Sequence, residues 1–497
     1  MLAPGEKDHH CSWRTRAEEL ELKLAETRAE LSVLQEQFAL LQKKIFGRSS
    51  EKQSITPVSA ELRKRKPKDP AQKQRKRRET QKRKKQVRTQ QEESAPGRDA
   101  CNCPYCDDGP DDFTEIGRKD SVVFVYVPAH LLRRVVTRVT KACHCGKTIV
   151  TGRAPRRFGD KSQFDTSVVA SVVVGKCADS IPVARQAEQL RRQGLPANRA
   201  TLNRLFLRAG DLLTPLAQHI LAQIAASEVV LGDETPIRQQ DQKSKGYFWT
   251  FNTDDMAAYV YSPNRSGETP RRALGGTTGD LVVDGYTGYN SVTTPEGRDR
   301  AGCNSHARRR FCEALPKTPE AQQAIDLYTE IFLVEHEAEE LGILGTSKHR
   351  KLRQQRSTPA MKQLRAWCTE QQPHHLPKGK MGEAISYFLN NWDSLTRFLA
   401  NAKIPPTNNQ SERLLRVVAV GRKNYLTVGN TTAGEYIATL YTLTACCKTA
   451  DVDPQAYFTD VLDRIQEHPA DRIDDLLPHN WKPPSSLATG GPDPPST

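Results

Sequence analysis

The chain has 497 residues and a formal charge of +15, from 74 Lys and Arg against 59 Asp and Glu. That length is ample for several domains with a sizeable core and excludes a peptide-sized scaffold. No stretch approaches the roughly 18–20 apolar residues of a membrane span, and the start lacks a signal-peptide pattern. A soluble, cytoplasmic protein with no membrane partner is expected. The twelve cysteines are scattered rather than framework-like, and a reducing compartment makes those near residues 101–145 candidates for metal rather than disulfides.

In chain order, residues 14–47 read as a coiled coil. Ala17, Leu24, Leu31, Phe38 and Ile45 recur every seven positions, with Leu20, Leu34 and Leu41 three residues after three of them. Four such heptads predict a homodimer or higher oligomer; one amphipathic helix packed on its own chain has the same pattern. Residues 48–99 form a basic linker. Between Leu62 and Arg88 stand fifteen Lys and Arg against Asp69 and Glu79, a block that attracts nucleic acid or serves only as a solvated spacer.

Residues 100–152 predict a small zinc-ribbon-like β module. Cys103-Pro104-Tyr105-Cys106 and Cys143-His144-Cys145-Gly146 flank two strand-like runs, 122–127 and 132–139. Four thiolates so arranged hold tetrahedral Zn²⁺. The second knuckle has a one-residue spacer, so His144 or Cys101 is an alternative ligand, and a ribbon that folds without metal is the other outcome. Residues 160–226 read as a helical, DNA-binding-like domain. Its break at Gly194-Leu195-Pro196 precedes a helix carrying Arg199 and Arg204, which suits either a DNA groove or plain packing.

From 227 the pattern turns to β. Val229 to Leu231 predict a buried strand ending at Asp233-Glu234-Thr235-Pro236, and strands follow at 246–251 and 257–261. After a short helix, Leu281 to Val283 form a strand ending at Asp284, with Gly285 for a sharp exit. Residues from about 312 to 400 read as an all-helical insertion. Asn408 then caps a helix that carries Glu412 in its first turn and ends at Gly421. Three strands, a helix and a fourth strand resemble a ribonuclease-H-like core, here 227–430, in which Asp233 and Asp284 are neighbours. A helical C-terminal element fills 431–484, and a disordered tail 485–497. The fold class is thus multidomain α/β.

A carboxylate at the end of a buried strand costs free energy unless it is bonded, paired or metal-bound. Asp233 and Asp284, with Glu412, make an oxygen-only set for two Mg²⁺ or Mn²⁺ ions, which clamp in-line displacement at phosphorus. The plainer alternative makes these residues helix caps or surface ion-pair partners. Arg416, Arg422 and Lys423 are candidate DNA-backbone contacts. His306 is a proton donor, a phosphate contact or a structural residue.

With those residues laid out, the chain resembles the insertion sequence 66 family of DDE transposases from about Leu20 to Trp481. Matching strings are Phe46 to Lys52, Ala178 to Pro182, Asp233 to Pro236, Ser262 to Gly267 and Val283 to Tyr289. His306-Ala307-Arg308-Arg309, Asn408 to Arg413, Gly421 to Asn424 and Leu476 to Trp481 complete the series in order. The resemblance implies a leucine-zipper start, a zinc domain built on Cys103, Cys106, Cys143 and Cys145, and a catalytic triad of Asp233, Asp284 and Glu412. DNA contact by His306 and Arg308, recognition of terminal inverted repeats and target DNA, accessory transposition proteins and a prokaryotic, nucleoid-associated setting follow from it too. The second cysteine knuckle is one residue short of the family pattern, and Thr407 stands where the family commonly has Asp. Two other outcomes fit the residues: a non-catalytic DNA-binding protein, or a structure-selective nuclease of the same fold.

Overall fold

A computed structural model describes residues 157–483 except 160, 161 and 196, with short pieces between 131 and 151. The expected coiled coil at 14–47, the linker at 48–99, all four zinc-ligand candidates (Cys103, Cys106, Cys143 and Cys145) and the tail at 485–497 lie outside the described residues. Strands β1 (Thr140–Ala142) and β2 (Ile149–Thr151) pair antiparallel on either side of the second knuckle. Most of the strand expected at 132–139 lies outside the described residues. Its described members Arg133, Val135 and Val139 are not in a strand, and among the described residues the pairing runs from Thr140 with Thr151 to Ala142 with Ile149.

Four helices follow: α1 (Thr166–Cys177), α2 (Val183–Arg192), α3 (Arg199–Leu212) and α4 (Thr214–Ala225). Two of their starts, those of α1 and α3, were legible. Asp165 accepts from the Ser167 amide at 2.9 Å and Asn198 from that of Thr201 at 2.8 Å, each satisfying a first-turn donor.

Next come β3 (Val229–Gln239), β4 (Lys245–Asn252), β5 (Ala257–Ser262), α5 (Glu268–Leu274), β6 (Gly279–Val283) and β7 (Arg298–Gly302). The sheet runs β5-β4-β3-β6-β7, antiparallel through β5, β4 and β3 and parallel through β3, β6 and β7. Adjacent residues face opposite sides, as the two-residue period requires. Val230, Leu281 and Val283 enter one core with the helices around 166–225 and 431–477. Leu231, Val282 and Ala301 enter a second core on the other face. The result is a mixed sheet between two helical layers.

That second layer is the expected insertion, beginning earlier than 312: α6 (Asn304–Ala314), α7 (Ala321–Glu340), α8 (Ser347–Leu352), α9 (Thr358–Gln371), α10 (Lys380–Asn390) and α11 (Trp392–Thr396). A π turn at Arg353–Ser357 joins α8 to α9. There the buried Arg353 holds Glu335 through two bonds of 2.7 and 2.6 Å and the Phe398 carbonyl at 2.6 Å. The chain closes with α12 (Asn409–Tyr425), β8 (Thr427–Val428), α13 (Thr431–Thr449) and α14 (Pro454–Arg464). Among the described residues no helix is long and apolar enough to cross a membrane.

Two further boundaries and one strand differ from expectation. β3 does not stop at Asp233 or Pro236 but continues to Gln239, because β4 pairs with it as far as Arg238. Pro236 is tolerated since the parallel partner β6 leaves after Leu231 and β8 joins only at Arg238, so no sheet bond is wanted on that side. α12 runs through Gly421 and ends at Leu426, whose φ of 67° turns the chain out of the helix. Gly421 instead admits the Tyr425 ring, which a Cβ would meet at 2.5 Å. β7 was missed altogether, since Arg298-Asp299-Arg300 carries no apolar signal. The Arg298 side chain is nevertheless buried, donating to the carbonyls of Ala225 at 2.6 Å and Ser227 at 3.0 Å.

Candidate active site

The last parallel pair, Leu231 with Val282, sets Asp233 and Asp284 two residues further along adjacent strands and therefore at the same level. Asp233 lies mid-strand, opposite Thr250 of β4, where the departure of β6 opens one side of β3. Its Oδ1 accepts from the Glu234 amide at 2.9 Å. Asp284 stands just past the end of β6, as expected, and accepts from the Tyr286 amide at 2.9 Å in an Asx turn. Arg300 of the unforeseen β7 secures that turn, donating to the carbonyls of Asp284 at 2.7 Å and Tyr286 at 2.6 Å. Gly285 serves space rather than a left-handed exit, because a Cβ there would lie 2.8 Å from the Tyr387 ring.

Glu412 arrives from the first turn of α12, and the residues before it hold that turn against the sheet. Asn408 does not cap the helix with its side chain. It is fully buried, its Nδ2 donating to the Gly232 carbonyl at 3.4 Å and its amide to Cys303 Sγ at 3.4 Å. Gln410 donates to the Thr253 carbonyl at 2.9 Å and Ser411 to Asn252 Oδ1 at 2.6 Å. Asn304, at the start of α6, is held to the Pro406 carbonyl at 2.9 Å, which brings His306 to the same place. Ser411→Ala is expected to cost about 1–3 kcal/mol of stability, because Asn252 loses its buried partner. Urea unfolding checks this.

The electrostatics match a crowd of carboxylates. Burial, then the charges of Glu234, Asp284 and Glu412, push the Asp233 carboxyl up to about 8. Burial likewise raises Glu234, against the opposing bonds from Tyr289 and Arg265. Oε1 of Glu412 is buried with no hydrogen-bond partner, 3.6 Å from His306 Nε2, while Oε2 is 3.8 Å from Arg309 Nη2. Burial holds His306 toward its neutral form, and its Nδ1 also lacks a hydrogen-bond partner. Among the described residues no three His, Cys, Asp or Glu side chains form a ready-made metal cluster. The donor set still fits a hard dication: all oxygen, mutually repelling, and including a buried carboxylate oxygen that receives no hydrogen bond.

The expected cations divide. Arg416 and Lys423 are exposed on α12. Arg308 is half-buried, with a partnerless Nε. Arg422 is engaged in the fold instead, donating to Thr235 Oγ1 at 3.0 Å and the Pro236 carbonyl at 2.6 Å. Sequence reasoning missed Glu234, Arg265, Tyr286 and Tyr289, which interlock beside the aspartates. Their signal was present in the strings Asp233 to Pro236, Ser262 to Gly267 and Val283 to Tyr289, read there without individual roles.

Fold and site together define a mixed α/β protein with acidic side chains converging from two parallel strands and a distant helix. Residues 161–436 match the family model described as Transposase IS66 family, and residues 442–479 match the IS66 C-terminal element. The chain belongs to the IS66 family of transposases. Relatives from Sinorhizobium fredii (strain NBRC 101917 / NGR234) are similar over most of their length. The uncharacterized protein y4jD is 32% identical over 74% of this chain and 76% of its own. The uncharacterized protein y4hP is 28% identical over 76% and 73%, respectively. Family membership supports a transposase function, with DNA binding and divalent-metal use as its family-level requirements.

Proposed function

We propose that the protein cuts and joins DNA at the ends of an insertion sequence, using Asp233, Asp284 and Glu412 on a ribonuclease-H-like core. The strand order β5-β4-β3-β6-β7, with only β4 running against its neighbours β3 and β5, supports that core. One observation carries the reading. Asp233 is half-buried, and desolvation with the charges of Glu234, Asp284 and Glu412 holds its carboxyl up to about 8, a concentration of negative charge suited to a dication.

In this reading Asp233, Asp284 and Glu412 hold two Mg²⁺ or Mn²⁺ ions. When bound, the ions supply Lewis-acid stabilisation of the attacking and leaving oxygens. Asn408, Gln410 and Ser411 keep Glu412 in register with β3 and β4. Neutral His306 is positioned to accept or return a proton beside Glu412. Water attacks phosphorus at the element end, the P–O3′ bond breaks, and the departing oxygen takes a proton to give a 3′-hydroxyl. That hydroxyl attacks a target phosphate, forming one P–O bond as another breaks, with no covalent enzyme intermediate. Arg308, Arg416 and Lys423 contribute backbone contacts. Residues 14–47 pair protomers, 48–99 add salt-dependent affinity, and Cys103, Cys106, Cys143 and Cys145 hold zinc.

Duplexes taken from both borders of the gene, incubated with protein and Mg²⁺, test this. Nicked ends joined to a target plasmid are the expected products. Nicking without joining makes the protein a nuclease, and binding without nicking makes it a DNA-binding protein only.

A further inference from the structure

Beside the aspartates lies a cation whose orientation is fixed on three sides. Arg265, in the loop between β5 and α5, donates from Nε at 2.8 Å and Nη2 at 2.5 Å to one oxygen of Glu234. The other oxygen of Glu234 accepts from the Tyr289 hydroxyl at 2.6 Å. The Tyr286 ring lies under the guanidinium at 3.9 Å, and the Tyr286 hydroxyl donates to the Arg265 carbonyl. The loop itself is pressed onto the following turn: Ser291 donates to the Gly267 carbonyl at 2.7 Å, and a Cβ on Gly267 would lie 2.7 Å from the Gly288 carbonyl.

Burial is sharply unequal across this pair. The Glu234 side chain is 2% exposed and that of Arg265 42%. A buried carboxylate needs a partner, and Glu234 has two. The Arg265 head keeps open surface and its Nη1 side for a further acceptor. Its holders are the immediate neighbour of Asp233 and the residue two beyond Asp284, and its charge is felt by Asp284. A guanidinium with its plane fixed by a ring and a carboxylate is pre-organised for a phosphate, because little rotamer freedom remains to be lost on contact.

We propose that Arg265 grips a DNA backbone phosphate next to the bond that is cut, with Glu234, Tyr286 and Tyr289 as its positioning residues. The assignment rests on the DNA-cutting reading of the aspartates and adds a cation held by Glu234 to the pair His306 and Arg309 that stands beside Glu412.

The paired variant Glu234→Gln/Arg265→Gln tests it, since it removes both charges together and retains hydrogen-bonding side chains. Binding to border duplex is measured in EDTA across a salt series, and cutting is measured with Mg²⁺. The paired variant is expected to melt as a folded protein and to show a log–log salt slope smaller by about 0.9, one phosphate contact. Cutting should fall at least about tenfold, or ~1.4 kcal/mol. Arg265→Lys keeps the charge and the pairing with Glu234 but not the planar fork, so the slope should remain while cutting still falls about tenfold. A folded paired variant with parental slope and cutting overturns the proposal, leaving Arg265 a counter-charge for Glu234. Should the paired variant not fold, parental cutting by Arg265→Lys overturns it equally. Asp284→Asn in the same assay separates the two levels. If it cuts like the parent, the active-site reading itself fails; if it is dead while the paired variant cuts normally, only the role of Arg265 fails.

Discussion

Asp284→Asn is expected to bind border DNA as the parent does and to cut it at least about a thousandfold more slowly, ~4 kcal/mol of lost transition-state stabilisation. The substitution is chosen for what it preserves. Asparagine keeps an oxygen to accept from the Tyr286 amide, so the Asx turn at the end of β6 survives. The carbonyls of residues 284 and 286 stay on Arg300, and Val282 and Val283 remain in opposite cores. Only the charge disappears. A melting temperature within a few degrees of the parent, together with single-turnover cutting on end-labelled duplex, separates chemistry from stability. Parental cutting rates in a protein that has lost this charge would falsify the three-carboxylate site.

How much of this was legible in the sequence depends on where each residue's partner lies. Local signals carried far. The cap at Asp165, the helix start after Asn198, the strand expected at 257–261 and the aspartate just past β6 all follow from short-range pattern. The candidate site residues stood out because acids at strand ends and at a helix start are costly and therefore conspicuous. Features decided by distant partners were not visible. β3 runs past Pro236 because β4 accompanies it, and Gly421 stays helical because Tyr425 needs room. Asn408 reads as a cap yet is a tie to Gly232, 176 residues away in sequence. β7 hides behind Arg298 and Arg300, whose charges face carbonyls from other segments rather than water. Nothing local marks that Arg422 also ties α12 to β3 through Thr235 and Pro236.

Asp233→Asn is expected to make the metal-free protein more stable, by an amount that grows with pH. The Asp233 carboxyl is raised in the fold from an ordinary 3.8 to about 8, chiefly by burial and then by Glu234, Asp284 and Glu412. Between those values the folded chain holds a proton that the unfolded chain has released, so stability falls as pH rises through the interval. The parent's loss is absent below about pH 4 and complete above about pH 8, and across about four units it amounts to up to ~6 kcal/mol. Asparagine has no proton to lose, so the variant lacks this slope. The contribution of Glu234, raised in the same direction, remains in both proteins. Divalent cation should reverse the ranking, since a dication among the carboxylates favours their ionised forms and binds the folded chain selectively. Urea unfolding in EDTA from pH 4.5 to 8.5, repeated in Mg²⁺, reads both effects. A parent no less stable than the variant at pH 8 in EDTA would mean that Asp233 is not a desolvated member of a carboxylate group. Mg²⁺ stabilising both proteins equally would mean that the ion binds elsewhere. A variant steadier without metal and inert with it is the behaviour of a residue kept at a cost to the fold for the charge it brings to the site.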